Sequence, residues 1–534
     1  MNPIDRMVAA VSPVMGLKRA NARKQMQVLN QGYSNHGAST KKKSLLGWLT
    51  RSGSAVEDIE YNIPKLRERS RDLFMGAPLA TGALKTMRTN VIGSGLKLNA
   101  QIDYEYLNMT TDEADEWETQ VEREFSHWAE SLHCDAHRMN NFYELQQLAF
   151  MSWLMSGDSF ALLPVIPRIG MPYDIRVQLV EADRICTPDK QAFNLDYKII
   201  NGVEVDKRGE ILAYHIAQHH PHSLTVQQNE WSRVPKFGAK TGRPNIIHLM
   251  ESERPEQRRG VPVLAPVMES LKQLSRYTEA ELMAAVISGM YTVFVTTENN
   301  QTGNDFGSGI GEEDLIDTED DTSLELGNGS VHFLGENEKI QESNPGRPNV
   351  AFDGFVTSIC RQIGAALEIP YELLLKNFTS SYSASRGALL EAWKMFRMRR
   401  DWMSNDFCQP IYEEFLAEGI AKGRINAPGF FTDPLAKKAY ANAEWNGPSQ
   451  GQLDPLKEVN AAEKRVNNGF TTRTRETIEL TSGDFFKNNA LRVREEKVRR
   501  EGGLSMDGIP TVPFQPVKEE EEDNNDEKEE EVEE

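Results

Sequence analysis

Apolar residues recur at three- and four-residue steps along several stretches of this chain, and each run is cut by a proline or a glycine. Between Ile63 and Val91 the residues Leu66, Leu73, Leu79, Leu84 and Met87 fall on one face, which predicts a helix ending at Gly93–Ser94–Gly95. Asp112–Leu132 repeats the pattern with Trp117, Val121, Phe125 and Trp128 beside acids, and Phe142–Met155 does so again before Gly157–Asp158. The period then changes. Phe160–Ile166, Ile175–Leu179, Ile199–Val205, Leu212–Ile216 and Asn245–Leu249 are short β-branched or alternating runs separated by Pro, Gly and Asp, and they predict strands. Helices first and strands afterwards predict a mixed α+β lobe.

Arg254–Gly260 reads as a polar hinge. Pro262 and Pro266 follow where a helix start tolerates them, and Val267, Leu271, Leu274, Leu282, Ala285 and Val286 predict a helix of about seven turns, ~40 Å long. Val293–Val295 is strand-like. Gln301–Ser330 then abandons periodicity, with eight acids and no base between Glu312 and Glu325, so this insertion is expected to project from the core. From Val350 to Arg400 the pattern is helix, proline stop, polar loop, helix. Phe352, Phe355, Ile359, Ile363, Ala366 and Leu367 lead to Pro370, and Tyr371–Glu372 and three leucines precede the hydroxyl-rich Asn377–Ser385. Leu389, Trp393 and Phe396 then repeat beside Lys394, Arg397, Arg399 and Arg400, giving a long amphipathic helix with a basic flank that extends into an apolar Phe407–Ile420. Pro428–Pro455 is rich in turn residues around Trp445. Leu456–Val466 and Thr471–Leu480 read as short helices, followed by the charged Leu491–Arg500.

Charge changes the picture at the two ends. The chain of 534 residues carries a net −20, but the first fifty residues hold eight bases against Asp5 alone, and Lys518–Glu534 holds twelve acids against two lysines. Two oppositely charged, solvated tails therefore flank an acidic body. With 39% hydrophobic residues most of the chain is expected to fold, and its length implies several lobes or one elongated body. The four cysteines form no CxxC pair, which favours free thiols in a reducing compartment. The longest apolar run, Leu282–Val295, is interrupted and falls short of the ~20 residues needed to cross a bilayer, so no membrane span is expected. Met7–Leu17 lacks a basic leader and a cleavage site, so no secretory signal is expected either.

The motifs that carry catalysis are missing or incomplete. There is no GxxxxGK[ST] phosphate cradle, which argues against a motor ATPase. His215, His219, His220 and His222 surround Pro221 without a carboxylate or thiol at fixed sequence spacing, and a surface turn is the favoured reading over a zinc site. The acids Asp314, Asp317, Asp320 and Asp321 lack EF-hand spacing, so a solvated loop is favoured over a two-metal nuclease. Ser383 and Ser385 have no nearby histidine, so nucleophilic catalysis is not expected. No enzymatic activity and no cofactor are expected.

The words IPYELLLKNFTSSYSASRGALLEAWKMFRMRR, MRTNVIGSGLKL, LVEADRIC, ERPEQRRGVPVLAPVMESLKQL and WNGPSQGQLDPLKE, spread in order between Arg69 and Phe486, resemble the lambda-type portal proteins of tailed bacteriophages. The resemblance implies an elongated portal fold in successive parts. These are a basic arm (1–58), a mixed α/β wing (59–260), a stem helix (261–292), a clip (293–350), a second stem helix (351–370), a tunnel loop (371–386), a long helix with the rest of the wing (387–450), a helical crown (451–500) and an acidic tail (501–534). It implies a ring of about twelve copies at one capsid vertex, assembled in the host cytoplasm, through which double-stranded DNA is packaged and later ejected. Its implied partners are the large terminase subunit, a head–tail adaptor and the major capsid or scaffold protein, with no membrane. In that frame Lys376, Asn377, Phe378, Thr379, Ser380, Ser381, Tyr382, Ser383 and Ser385 line the channel. Glu312, Glu313, Asp314, Asp317, Asp320 and Asp321 lie where partners dock, and Arg386, Trp393, Arg397, Arg399 and Arg400 are candidates for contacts between subunits. For the loop, the residues alone leave a plain interhelical connection open, and for the arginines they leave DNA contact open. A head–tail adaptor without a channel and a metal-dependent nuclease are the alternative readings of function.

Overall fold

The computed structural model describes residues 7–8, 10–29, 42–45, 47–48, 50–189, 196–224, 229–289, 293–297, 338–342, 351–378, 381–452 and 454–502. Within the stretch read as a basic arm, Pro13–Leu29 forms α1, because its Ala, Lys, Arg, Gln, Met and Leu residues are strong helix formers. The periodic run from Ile63 to Val91 is two helices and not one, α2 (Ile63–Gly76) and α3 (Pro78–Val91). Pro78 has no amide proton to donate and holds Ala77 in extended backbone at φ −111° and ψ 108°. After β1 (Lys97–Ala100), α4 (Thr111–Ala129) and α5 (Phe142–Ser156) each open on a capping box, Thr110 with Glu113 and Asn141 with Glu144.

β2 (Asp158–Leu162) lies between β3 (Gln178–Val180) and β8 (Ile246–Met250) in a three-stranded antiparallel sheet. A second sheet runs β4 (Tyr197–Ile200), β5 (Val203–Asp206), β6 (Ile211–Ala217) and β7 (Trp231–Pro235). The single strand expected over Ile199–Val205 is thus a hairpin. Asn201 and Gly202 both take positive φ, 47° and 81°, the geometry a two-residue turn between twisted strands requires.

A single turn of 3₁₀ helix at Ala265–Val267 leads into α6 (Met268–Gly289). β9 (Val293–Thr297) pairs antiparallel with β10 (Glu338–Glu342), and α7 (Phe352–Ala366) packs on α6 through Tyr277, whose ring centre is 5.6 Å from that of Phe352 and 5.0 Å from that of Phe355. The short α8 (Tyr371–Leu375) precedes α9 (Tyr382–Met403), which passes through a π turn at Ser404–Cys408 into α10 (Gln409–Ala421). Then come α11 (Pro434–Ala441), β11 (Ala443–Asn446), α12 (Pro455–Asn467), α13 (Arg473–Thr481) and α14 (Phe485–Glu501).

The main core joins residues far apart in sequence. Phe125 of α4 meets Phe142, Tyr412 and Phe415 edge-on at ring separations of 5.6, 5.7 and 5.2 Å, a favoured aromatic geometry. β1 pairs antiparallel with β11, setting Leu98 opposite Trp445. A second, smaller core of Phe160, Val180, Val203, Val205, Tyr214, Ile216 and Ile246 lies beneath the β sheets.

Asp158, the first residue of β2, is wholly buried. Arg67 Nη2 lies 2.8 Å from its carboxylate, Arg259 Nε 2.6 Å, and the Gly260 amide donates at 3.3 Å. The remaining guanidinium N–H groups reach backbone carbonyls: Arg67 Nε donates to Ser156 at 2.8 Å, and Arg259 donates to Ile185, Asn201 and Ala182 at 2.7, 2.6 and 2.8 Å. Burial pushes the Asp158 carboxyl up, but Arg259 and Arg67 outweigh it and hold the group far below the usual carboxylate range. Burial also pushes the Arg67 guanidinium down to about 10. Beside this cluster two glycine backbones cross: a Cβ on Gly260 would lie 1.8 Å from the Gly157 carbonyl oxygen. Gly157 also holds φ at +88°, which ends α5.

Two outcomes are expected. Asp158→Asn leaves two buried guanidinium groups without their anion, so urea unfolding should show a loss of roughly 3–5 kcal/mol. An unchanged midpoint would show that the cluster is not structural. Glu118 of α4 accepts from the Ile102 amide at 2.8 Å, and burial pushes its carboxyl up to about 7 despite that bond. A folded-state value above the ordinary one means that the folded chain binds the extra proton, so stability falls as pH rises from about 4.5 through 7. Glu118→Gln keeps the acceptor and should flatten this slope and raise the melting temperature at pH above 7. An identical pH profile for both proteins would contradict it.

Candidate channel loop and its supports

The loop between α8 and α9 is held at its base and exposed at its tip. Ile363, Leu367, Ile369 and Leu374 are buried, and the Ile369 amide closes the end of α7 on the Gly364 carbonyl at 2.9 Å. A Cβ on Gly364 would lie 2.5 Å from the Ile369 carbonyl oxygen, so only glycine lets the chain turn back this closely. Arg361 stacks over the Tyr371 ring at 4.7 Å. Lys376 ends α8 in the left-handed region at φ 54°, and the Asn377 amide donates back to Glu372 O at 2.9 Å.

The loop is shorter than the sequence suggests. Ser381 is the N-cap of α9, its side chain accepting from the Ala384 amide at 3.4 Å, so Tyr382, Ser383 and Ser385 are helical and the connection is residues 376–381. The hydroxyls that read as loop formers are cap and first-turn residues, a role equally suited to serine. Lys376, Asn377, Phe378 and Ser381 are exposed, with Phe378 at 50%, whereas Ser385 is buried. Thr379 and Ser380 lie outside the described residues, as do all the clip acids: Glu312, Glu313, Asp314, Asp317, Asp320 and Asp321.

The five residues expected at contacts between subunits are used inside one subunit. Trp393 is buried in the main core. Arg400 donates to the Asn90, Val91 and Pro448 carbonyls at 2.9, 3.1 and 2.9 Å and stacks over Trp393, capping the C-terminus of α3, whose last carbonyls have no helical donor. Burial pushes its guanidinium down to about 10. Arg399 is buried 3.2 Å from Met87 Sδ and 4.0 Å from Glu251. Arg386 and Arg397 lie 3.8 Å from Glu458 of α12 and 3.6 Å from Glu479 of α13. An arginine-rich helix flank looks the same in sequence whether it meets another subunit or the subunit's own later helices.

Sequence reasoning missed a different face. On α6 and α7, Leu282 (64%), Met283 (56%), Val286 (47%) and Phe355 (50%) are solvent-exposed. Their helical spacing was legible, but not that one subunit leaves them uncovered. The histidines divide. His215 is buried with Nε2 3.0 Å from Glu204, while His220 meets Asp183 at 3.9 Å in a cluster with Glu181. Arg71 is 3.3 Å from Glu181 and bonds Asp183 directly, so this acid pair already has its cation. The four cysteines are free thiols, three of them buried.

The family model for the phage portal protein, lambda family, matches residues 41–400, which include this loop, α8 and most of α9. Portal protein B of Escherichia phage lambda is 24% identical over 485 residues, covering 88% of this chain and 90% of its own. The portal protein of Escherichia phage N15 is 24% identical over 478 residues, covering 86% and 89%. Among solved structures, a chain from the neck of a native gene transfer agent particle aligns with 78% of this chain and 93% of its own at 12% identity, with a TM-score of 0.40. The match over residues 41–400 places this chain in the lambda family of phage portal proteins.

Proposed function

We propose that about twelve copies of this portal protein surround an axial channel for double-stranded DNA and that the loop at residues 376–381 forms its constriction. The supporting observation is the contrast between a base fixed by Ile369, Leu374 and the Ser381 cap and a tip of exposed Lys376, Asn377 and Phe378. Lys376, Asn377, Thr379, Ser380 and Ser381 offer single cations and hydrogen-bonding groups to passing phosphates and read no base edges. Tyr382 and Ser383, on the first turn of α9, stand next to the tip. An acidic body repels phosphate, so contact is confined to this tier, and DNA slides where a Lys- and Arg-lined groove would hold it.

In this reading α6 and α7 are the stem and residues 59–260 the wing. The insertion with Glu312, Glu313, Asp314, Asp317, Asp320 and Asp321 is the clip that meets the large terminase subunit and later a head–tail adaptor. α12 to α14 form the crown, and the major capsid or scaffold protein surrounds the ring. The family is structural rather than enzymatic, so the nuclease reading is not favoured, and neither is an adaptor without a channel.

Removing residues 378–380 while keeping Ser381 as the helix cap should leave rings intact by electron microscopy and lower the yield of DNA-filled heads about tenfold or more, the scale of a ~1.4 kcal/mol change. Normal packaging by that variant would remove the loop from the channel. The exposed stem face carries a separate prediction. Burying a Leu or Val side chain is worth ~1.5–3 kcal/mol, and every subunit repeats the contact. Leu282→Glu with Val286→Glu should therefore shift purified protein from rings to monomers in light scattering, with the monomer's circular dichroism unchanged. Rings of normal stability would show that this face lies outside the subunit contact.

A further inference from the structure

α14 is an exposed basic helix. None of its residues is buried, and Lys487, 2.8 Å from Glu122, ties its first turn to α4. Beyond that anchor Arg494, Lys497 and Arg500 follow at three-residue steps on one side, flanked by exposed Phe486 and Val493. These three cations are exposed and have no acid within ion-pair distance among the described residues. Several basic side chains elsewhere in the fold are matched, among them Arg465 with Glu476 at 2.6 Å, Arg424 with Glu124 at 2.7 Å and Arg233 with Glu204 at 2.7 Å.

Thirty-two residues follow Gly502, and their last sixteen, Glu519–Glu534, hold twelve acids. We infer that this acidic C-terminal segment docks on the Arg494–Lys497–Arg500 side of α14, as a built-in polyanion that occupies the helix in place of nucleic acid. Charge complementarity names the occupant, and chain length permits it. A flexible tether of the sixteen residues between Gly502 and Glu519 would reach about 20–25 Å, which matches the ~25 Å length of a seventeen-residue helix. Tethering makes the encounter intramolecular, at an effective concentration on the order of millimolar, so an individually weak polyanion contact is populated. DNA bears the same charge and would compete for these cations. A helix left bare would retain duplex by phosphate contact, and a tail seated on it weakens that hold.

The test uses the full chain. Zero-length carbodiimide cross-linking of wild-type rings, read by mass spectrometry, should join Lys497 to carboxylates within Glu519–Glu534 at low salt. The links should fade in about 0.5 M salt, where screening cuts the attraction to a few ångströms. Replacing those twelve acids with Gln and Asn should tighten binding of a short fluorescent duplex by about tenfold or more at low salt, and adding Arg494→Gln, Lys497→Gln and Arg500→Gln should return affinity to near the wild-type level. The idea fails if tail carboxylates cross-link elsewhere but not to Lys497. It fails equally if the triple substitution leaves the neutral-tail protein binding DNA tightly, since the tail would then act only through net charge. Neither readout depends on packaging, so the channel proposal stands or falls separately.

Discussion

The Asp158 carboxylate is the constraint from which the rest of the subunit takes its geometry. It is wholly buried, and two guanidinium groups from residues 91 and 101 positions away in sequence converge on it. Taking three charges out of water costs several kcal/mol each, and their attraction offsets this only when nearly every remaining hydrogen bond is made. Arg67 and Arg259 meet that condition by directing their other N–H groups at the carbonyls of Ser156, Ala182, Ile185 and Asn201. The arrangement therefore tolerates little movement of α2, of the α5–β2 junction or of the segment that leads into α6. The crossing of Gly157 and Gly260 follows from it, since both backbones lie within reach of one carboxylate.

That rigidity passes to the candidate channel loop by a traceable route. α2 leads through the Pro78 break into α3, and the C-terminal carbonyls of α3 receive Arg400 of α9. α9 begins at the loop. Its far end runs through the π turn into α10, whose Tyr412 and Phe415 close on Phe125. The loop is thus the free end of a long lever whose body is clamped by buried arginine and aromatic groups, while Arg386 and Arg397 join the same lever to α12 and α13 through partly exposed ion pairs. Exposed pairs of this kind are worth ~1 kcal/mol or less, so the side of the lever that faces α12 and α13 is the compliant one.

What was legible in sequence is what periodicity and local chemistry encode. The buried faces of α4 and α5, the two helices around Tyr277, the stop at Pro370 and the existence of a polar connection after it follow from apolar spacing and from proline. Two kinds of feature were not. Short elements escaped because four residues define no period, as in β1 and β11, or because a turn was overlooked, as at Asn201–Gly202, where the dipeptide itself was the available signal. Partners escaped because a helical flank shows which residues share a side and not what lies opposite. Arg399 and Arg400 read as assembly residues and are buried against Met87 and the end of α3, while Leu282 and Val286 continue the helical spacing of the buried Leu271 and Leu274 and are exposed.

The contacts that the α9 arginines make within the subunit support a channel that does not grip. With Arg399 and Arg400 buried within the subunit and Arg386 and Arg397 beside glutamates, Lys376 is the one cation left among residues 376–381 at the loop. The proposed ring of about twelve subunits then presents a single tier of ammonium groups to duplex DNA. Each phosphate engaged steepens the salt dependence of binding by about one charge, and only the few phosphates level with that tier are engaged at any moment. As the duplex advances, every phosphate that leaves the tier is followed by an equivalent one, because the tier reads phosphate and not base. Sliding therefore meets a shallow, repeating energy profile, the condition under which an external motor can move the duplex without first breaking a strong complex.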